Sequence, residues 1–525
     1  MTSAVRCWLA LTLNLGNDEV YYFTYAVQPD WNHFDHPPLV GLFIRLFTLN
    51  LHWVNDLSMR LPAIVGAAVN TWLIARCGQK IRNKNTGLIA AILYNTSIYT
   101  SIISGLFIMP DSVQVVFWLA ALYTMLLIID ADSVVNRNRN LLLLGCWIGL
   151  ATMSKVHGVF LWIGFIGFVV SCRSSWLKNP ILYVSAMVTA TIISPILLWN
   201  SQNNFISWRF HSERVVLTDG INLMSFLSTT FGQIAYNNPV TVILSASALI
   251  ALRRHEAFLS LPKLRLLLWC SLPIIATTTI VSLFRLTLPH WSGPGFVGLI
   301  LLSASYVSYK TESVRPGLPG KLLYVSLGLM LLVVVSGVAV IHYYPGALTS
   351  KTEPEIGSGD ATLDLFGWDE LLPQFRKIRR NEISEGIMSK NAPLLVHKWF
   401  PGSHIYYYVA YPLHMNVFGL GTLNDLHKFA WLNKMNRGMR VGSDAYYISP
   451  SNNYSDPAEI YGKHFKSIEQ AAKIPCYRNG KLARYWYVYR LKGWANDAKD
   501  QLEDNGRNMP SGPPEGRQRR GFPAQ

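Results

Sequence analysis

Two short acidic motifs near the start of the chain carry the residue types best suited to chemistry. Asp18 and Glu19 lie in the sequence Gly-Asn-Asp-Glu-Val-Tyr-Tyr, and Asp35 and His36 lie in Phe-Asp-His-Pro-Pro-Leu. Both motifs adjoin strongly apolar segments, where a carboxylate is costly and is therefore usually functional. The alternative is a solvated loop whose acids face water. The combination of acids, aromatic residues, a histidine and a double proline favours a functional loop over 15–59.

The composition is that of an integral membrane protein with a soluble portion. Of the 525 residues, 50% are hydrophobic and only 14% are charged, and the mean hydropathy is +0.23. Soluble domains carry about 25% charged residues. The formal net charge of +16 arises partly from Lys and Arg in the connections between apolar segments, where membrane topology requires them. Nucleic acid is therefore not expected as a partner.

Apolar segments long enough to cross a bilayer recur through the first two thirds of the chain. They cover about 60–76, 86–108, 112–130, 180–199, 236–252, 266–284, 291–309 and 322–343. Lys and Arg fall in the connections 76–84, 131–140, 172–178, 253–265 and 310–321. The positive-inside rule places all five connections in the cytoplasm, so an even number of crossings separates any two of them.

This even number of crossings decides which of the remaining apolar segments span the membrane. It predicts that 141–153 and 157–172 are a pair of short spans and that 221–235 lies along the membrane interface. It also makes 37–54 a helix on the outer surface, where Arg45 and Asn50 are tolerated. The first apolar segment, Ala4–Leu15, has only about a dozen residues, too few for a crossing, so we expect its helix to begin before the first residue.

The same parity gathers ionisable side chains on the outer face of the membrane. The acidic loop shares this face with Asp111, Lys155, Arg209, His211, Arg214, Arg285 and His290. Their concentration at the ends of spans on one side predicts a functional site.

Transfer of a sugar from a lipid phosphate to a hydroxyl would use these residue types. The leaving phosphate needs cations but no general acid, and the acceptor hydroxyl needs one carboxylate base. Asp18 or Asp35 are the candidate bases. The candidate phosphate ligands are His36, Lys155, Arg285 and His290.

The chain changes character near residue 344. Residues 345–495 alternate helical patterns, such as 367–380, with short β-type runs at 393–396, 404–408, 445–449 and 485–491. This predicts a small C-terminal α/β domain, extracytoplasmic by the same parity. Residues 496–525 are polar and rich in Gly, Pro and Arg, and are expected to be disordered.

Several motifs in order resemble one family of membrane enzymes. Over roughly 15–310 the chain is similar to the polyprenyl-phosphate-sugar glycosyltransferases of the GT-C class, within the bacterial protein O-mannosyltransferase and lipid A aminoarabinose transferase superfamily. Besides the two acidic motifs, the resemblance rests on Arg60-Leu61-Pro62-Ala63, Pro110-Asp111, Gly149-Leu150-Ala151 with Ser154-Lys155, and Pro289-His290-Trp291-Ser292-Gly293-Pro294.

The resemblance implies a polytopic α-helical membrane protein with a GT-C-like domain of about 11 spans over 1–344. It implies an inverting glycosyltransferase of the cell inner membrane that moves a hexosyl or pentosyl unit from a polyprenyl-phosphate-linked sugar. The acceptor would be a hydroxyl of a protein, a lipid or an envelope glycan, and membrane lipids surround the reaction.

The resemblance also assigns roles to single residues. Asp18 matches the catalytic aspartate. Asp35 and His36 match the pair that binds a metal or the lipid phosphate in relatives, although the aminoarabinose transferases carry Lys at the position of His36. Asp111 matches a second family acid, and Lys155 matches a family Lys.

Simpler roles compete with these assignments. Glu19 and Asp111 could cap helices, Lys155 could extend its ammonium group towards the interface, and His290 could belong to an interfacial belt. Asp35 with His290 makes only two metal ligands, so a divalent metal cofactor stays open. A multi-span transporter of an envelope precursor is the alternative function, but transporters hold their binding residues near the membrane midplane.

Overall fold

The computed structural model describes residues 2–215, 220–313, 318–435 and 438–495, and the predicted disordered tail 496–525 lies outside them. The chain divides into two compact units. The membrane unit comprises Met1–Leu11 and Pro29–Val335, and the C-terminal unit comprises Thr12–Gln28 together with the chain from Ser336 onward. The segment that contains Asp18 and Glu19 therefore packs with the C-terminal half of the protein.

The described residues are mostly helical as far as Tyr343. The helices are Thr2–Thr12 (α1), Asn17–Val27 (α2), Leu39–Phe47 (α3), Asp56–Ile81 (α4), Lys84–Thr96 (α5), Pro110–Ile129 (α6), Val134–Ser154 (α7), Phe160–Cys172 (α8), Pro180–Gln202 (α9), Ile206–Val215 (α10), Leu223–Tyr236 (α11), Pro239–Arg253 (α12), Leu261–Val281 (α13), Gly293–Ser313 (α14) and Leu318–Tyr343 (α15). A π-helical turn, Tyr99–Ile103, follows α5.

The predicted apolar spans coincide with helices. Within the described ranges, five helices are long and apolar enough to cross a membrane, namely α4, α6, α9, α13 and the 320–343 part of α15. Helices α11 and α12 would count as a sixth span only as a pair, and they are bent by 94°, as expected if 221–235 does not continue the span after it. The remaining predicted spans fall on α5, α7, α8 and α14, so the number of about 11 stays a prediction.

Sequence signals explain where these helices begin. The side chains of Asn83 and Ser133 accept hydrogen bonds from the backbone N–H groups of Thr86 and Asn136, which satisfies donors that the first turn leaves unpaired. Proline occupies the first position of α6, α9 and α12, where its missing N–H costs nothing.

The five basic connections meet at one end of the membrane unit. Arg82 pairs with Glu312 at 2.7 Å, Lys263 with Asp130 at 3.3 Å and Lys310 with Glu256 at 2.6 Å. The remaining connections join through the hydrogen bonds Asn179 Nδ2 to Asn138 Oδ1 at 2.8 Å and Arg265 Nη1 to Ser171 O at 2.5 Å. The structure thus brings together the connections that the charge pattern assigns to one side of the membrane.

The C-terminal unit is built around a five-stranded mixed sheet. Its strands are Leu394–Val396 (β1), Val417–Gly419 (β2), Ala445–Pro450 (β3), Phe465–Arg478 (β4) and Lys481–Trp494 (β5), in the order β2-β1-β3-β5-β4. β1 is parallel to β2 and β3, whereas β5 is antiparallel to β3 and β4. The accompanying helices are Leu371–Ser384 (α16), Trp399–Ile405 (α17), Leu423–Leu426 (α18), Phe429–Leu432 (α19) and Pro457–Tyr461 (α20). A C-terminal sheet was expected, but β2 and β4 were not.

One predicted strand is wrong. Residues 404–408 belong to α17 and to a π-helical turn, Tyr406–Ala410. Three consecutive tyrosines favour a strand by propensity. In the fold, the rings of Tyr407 and Tyr411 instead surround Phe23 of α2, with centroids 5.0 and 4.8 Å away. Burial against a helix distant in sequence overrides the local preference.

The side of the membrane on which the C-terminal unit lies is open to a direct test. We expect a reporter that is active only outside the cytoplasm to work when fused after Tyr344, and a reporter that needs the cytoplasm to stay silent. Fusions in the connection 131–140 are the control and should give the reverse result. The opposite pattern at both positions would contradict the orientation derived from the basic connections.

Candidate functional site

A buried ion pair joins two helices at the end of the membrane unit opposite to the basic connections. Asp111 lies in the first turn of α6, and Lys155 ends α7 as its C-cap. Lys155 Nζ is 2.7 Å from Asp111 Oδ2, and the two side chains are 4% and 1% exposed. A buried charge is tolerated when it is paired and hydrogen-bonded, so each residue depends on the other.

Neighbouring side chains complete this pair. Tyr99, in the π-helical turn, donates its hydroxyl to Asp111 Oδ1 at 3.0 Å. Gln114, three residues after Asp111, donates from Nε2 to the carbonyl of Lys155 at 2.8 Å. Gly293 begins α14 beside the Tyr99 ring, and a Cβ there would lie 2.3 Å from the ring. The motif that contains His290 can pack against Tyr99 only because residue 293 lacks a side chain.

Three histidines lie within electrostatic reach of the ion pair, and together with Asp111 and Lys155 they form what we call the Asp111–Lys155 cluster. They are His36, His157 and His290. The pKa of His36 is lowered to about 3, chiefly by burial and in part by the charge of Lys155, while the charge of Asp35 opposes this shift. Burial and the charge of Lys155 lower the pKa of His290 to about 4. Both imidazoles are therefore neutral at pH 7, and each offers one N–H donor and one acceptor nitrogen.

The loop with Asp35 and His36 is held by α10. His211 Nε2 lies 2.7 Å from the carbonyl oxygen of Asp35, and Ser207 donates its hydroxyl to the carbonyl of His33 at 3.0 Å. Ser207 and His211 are four residues apart, hence on the same face of the helix. The ring of Phe34 packs 4.5 Å from that of Phe210. A helix whose residues had no assigned role thus fixes the second acidic motif.

Arg285 stands at the start of the loop that contains His290. Its carbonyl accepts a hydrogen bond from the Ser225 hydroxyl at 2.9 Å, which ties the loop to α11. A role for the Arg285 guanidinium stays a prediction. In the part of the chain that the structure describes, no group of three or more His, Cys, Asp and Glu side chains could hold a metal ion.

Asp18 and Glu19 belong to the C-terminal unit and begin α2. Glu19 Oε2 accepts a hydrogen bond from the Gly16 N–H at 2.8 Å, and its side chain is buried. This contact supports the capping role, and substrate binding by Glu19 stays a prediction. Asp18, one residue earlier, is half-buried. The partial positive charge of a helix N-terminus stabilises its carboxylate.

The sequence predicted that the acidic loop, Asp111, Lys155, Arg285 and His290 share one face of the membrane. Asp18 and Glu19 belong to the C-terminal unit, and of the others the structure gathers His36, Asp111, Lys155 and His290 in the Asp111–Lys155 cluster. Their positioning residues Tyr99 and Gln114 were missed, because a lone Tyr or Gln in an apolar span has no distinctive pattern. Parity placed His211 on the same face as Asp35 but without a role, and the structure puts the two residues in contact.

Comparison with known proteins confirms the resemblance carried by the motifs. Residues 35–199 match the family described as dolichyl-phosphate-mannose-protein mannosyltransferase. A search of curated protein sequences finds no match.

The fold is that of ArnT from Cupriavidus metallidurans. The apo crystal structure has a TM-score of 0.60 at 12% identity, covering 92% of this chain and 96% of that chain. The structure bound to undecaprenyl phosphate has a TM-score of 0.60 at 13% identity, covering 93% and 96%. An Archaeoglobus fulgidus oligosaccharyltransferase scores only 0.42 at 13% identity, over 95% and 73% of the two chains. At such identities the ArnT likeness establishes the fold.

The close approach at Gly293 can be tested by substitution. Gly293 has helical dihedrals, φ −49° and ψ −43°, so alanine can adopt its backbone conformation and Gly293→Ala tests the steric fit. We expect it to displace Tyr99 from Asp111 and to lower the free energy of unfolding by about 1–3 kcal/mol.

Gly328→Ala is the matched control, because a methyl group added at this position of α15 would have no atom within 4 Å. It should be neutral or stabilising by up to about 1 kcal/mol. The measurement is the midpoint of thermal unfolding of each variant in detergent. Equal midpoints for Gly293→Ala and Gly328→Ala would contradict the close packing of residue 293 against Tyr99.

Proposed function

We propose that this chain is an inverting glycosyltransferase that moves a sugar from a polyprenyl-phosphate donor to a hydroxyl acceptor on the outer face of the cell inner membrane. The Asp111–Lys155 cluster is the observation that carries this proposal. It sets a lysine ammonium and two neutral imidazoles, His36 and His290, at the end of the membrane unit away from the basic connections. A phosphate group on a membrane-embedded lipid would be recognised by these groups.

The reaction needs only one proton transfer. A carboxylate takes the proton of the acceptor hydroxyl, and the hydroxyl oxygen forms a bond to the anomeric carbon of the sugar. The bond from that carbon to the phosphate oxygen breaks on the opposite side, so the configuration inverts. The polyprenyl phosphate leaves with one additional negative charge.

The cluster suits this change of charge. One donor of the Lys155 ammonium is committed to Asp111, and an ammonium has three donors. Donors placed in advance where charge develops stabilise a transition state without reorganisation. In this proposal the Lys155 ammonium and the N–H groups of His36 and His290 donate hydrogen bonds to the phosphate and stabilise its growing negative charge. Arg285 is a further cation.

Asp18 is the proposed base. It is half-buried in the first turn of α2, and it matches the catalytic aspartate of the family that the motifs resemble. Asp35 is the second candidate, and its backbone is held by His211. Because α2 packs inside the C-terminal unit, Asp18 and that unit lie on the same side of the membrane, which we take as extracytoplasmic.

The fold neighbour bound to undecaprenyl phosphate supports a polyprenyl carrier. The position of the ion pair disfavours the transporter alternative. Transporters bind their substrates in the middle of broken spans, whereas Asp111 and Lys155 lie at helix ends.

The direct test is transfer by the purified full-length protein in detergent. Polyprenyl-phosphate sugars labelled in the sugar would be incubated with the protein and with separated envelope proteins, lipids and glycans. Label in one acceptor fraction supports the proposal and names the acceptor class. No transfer, together with uptake of a soluble solute into proteoliposomes, would replace it with transport.

The role of Lys155 can be separated from its structural role by a double-mutant cycle. Lys155→Met alone should destabilise the protein by about 3–5 kcal/mol, because it leaves the Asp111 carboxylate buried without a partner. Asp111→Asn with Lys155→Met removes both charges and should recover much of that stability.

Binding of an unlabelled polyprenyl phosphate distinguishes the two roles. We expect the recovered double variant to bind at least about tenfold more weakly than wild type, since it lacks the ammonium, and a loss of about 1.4 kcal/mol corresponds to a factor of ten. Wild-type affinity in the double variant would show that Lys155 serves only to neutralise Asp111.

Asp18→Asn should leave the protein folded, because the amide has the shape of the carboxylate. Transfer should fall by about 100-fold or more, as expected for a lost general base, with polyprenyl-phosphate binding retained. Asp132→Asn, an exposed acid in the connection 131–140, is the control and should keep full activity. Near-wild-type turnover in Asp18→Asn would move the assignment to Asp35 or Glu19.

A further inference from the structure

The backbone of Leu15, three residues before Asp18, is bound on both sides by side chains of the C-terminal half. Its N–H donates to the Tyr408 hydroxyl at 2.7 Å, and its carbonyl lies 3.0 Å from His404 Nε2. Leu15 is fully buried, so water cannot reach its N–H and carbonyl groups, and without these two side chains both would lack a hydrogen-bond partner. The side chains of His404 and Tyr408, four residues apart, therefore pair with both backbone polar groups of a residue almost 400 positions earlier in the chain.

His404 is itself held in one orientation. Its Nε2 also lies 3.2 Å from the carbonyl of Asp364, and its ring stacks on Trp368 with centroids 4.1 Å apart. Burial lowers the pKa of His404 to about 3, so the ring is neutral. Since Nε2 faces two carbonyls, it must carry the hydrogen.

The residues on either side of Leu15 are fastened to the turn 361–370. Asn17 Nδ2 donates to Asp364 Oδ2 at 2.8 Å, and Asn14 Nδ2 donates to Asp369 Oδ1 at 3.0 Å. The N–H of Trp368 in turn donates to Asn14 Oδ1 at 2.9 Å. Side-chain contacts thus hold the segment 14–17 up to the residue before Asp18.

Strand β5 supports this turn through one arginine. Arg484 is fully buried and donates to the carbonyls of Leu363 at 3.1 Å and Phe366 at 2.6 Å. Its guanidinium lies over the rings of Trp368 and Trp486, 4.2 and 4.6 Å from their centroids. A continuous series of contacts leads from the central sheet to the start of α2.

We propose that the C-terminal domain is the positioning element of Asp18, with Tyr408 and His404 as positioning residues that set the turnover rate. This inference rests on the proposed function in one respect, the role of Asp18 as base. The domain fixes the backbone of 14–17, and Asp18 follows this segment directly in the first turn of α2. A displacement of about 1 Å of a catalytic group can cost about 100-fold in rate, so a base at a helix start needs such support.

Tyr408→Phe is the sharpest test, because it removes only the hydroxyl that accepts from Leu15. We expect the turnover number to fall about tenfold or more, with KM and polyprenyl-phosphate affinity unchanged. Hydrogen exchange at the amides of 13–19 should become faster.

Tyr446→Phe is the matched control. It removes another buried tyrosine hydroxyl of the same unit, which donates to Glu382 Oε2 at 2.7 Å and has no part in these contacts. It should keep both the turnover number and the slow exchange at 13–19. If the two variants lose activity in equal measure and in proportion to their thermal stability, the contacts are only structural and the proposal fails.

A second pair of variants covers the case in which Tyr408→Phe does not fold. His404→Gln keeps an N–H donor near the two carbonyls, whereas His404→Ala removes it. We expect the Gln variant to recover part of the turnover and of the exchange protection that the Ala variant loses. Unchanged exchange at 13–19 in His404→Ala would contradict the proposal. An inactive wild type would contradict the proposed function instead, and hydrogen exchange would still decide whether the contacts hold the segment.

Discussion

The ion pair between Asp111 and Lys155 is the interaction on which the polar end of the membrane unit depends. It joins the start of α6 to the end of α7, with Lys155 Nζ 2.7 Å from Asp111 Oδ2, and both side chains are buried. Neither charge is tolerable there alone. The hydroxyl of Tyr99 donates to the Asp111 carboxylate, and the amide of Gln114 holds the backbone carbonyl of Lys155. Turns that contain His36, His157 and His290 gather round this fixed point.

The two ends of the membrane unit use charge differently. At the basic end, Arg82, Lys263 and Lys310 pair with acids in partly exposed positions, where each pair contributes only about 0–1 kcal/mol. Their main consequence is orientation in the membrane. At the other end a single buried pair is costly to break, and its desolvated surroundings strengthen any interaction with a phosphate. In the proposed function, orientation in the membrane and chemistry are thus assigned to opposite ends of the membrane unit.

Prediction from sequence succeeded where the signal is local. The apolar segments 60–76, 112–130 and 180–199 fall on α4, α6 and α9. It failed at 404–408, where strand propensity lost to packing against α2. At Glu19 the sequence left two roles open, since a substrate-binding carboxylate and a capping carboxylate look the same in an acidic motif. Its 2.8 Å contact with the Gly16 N–H supports the capping role.

The sequence by itself determined the class of protein and the positions of most helices, because hydropathy acts through the length of apolar segments. Through charge and parity it also predicted that the acidic loop, Asp111, Lys155, Arg285 and His290 share one face. Tertiary structure alone decided which of these residues neutralise one another, and that Thr12–Gln28 folds with the C-terminal unit. The contacts of Leu15 with His404 and Tyr408 join residues almost 400 positions apart. No local pattern encodes such a distance, since it arises only when the whole chain has packed.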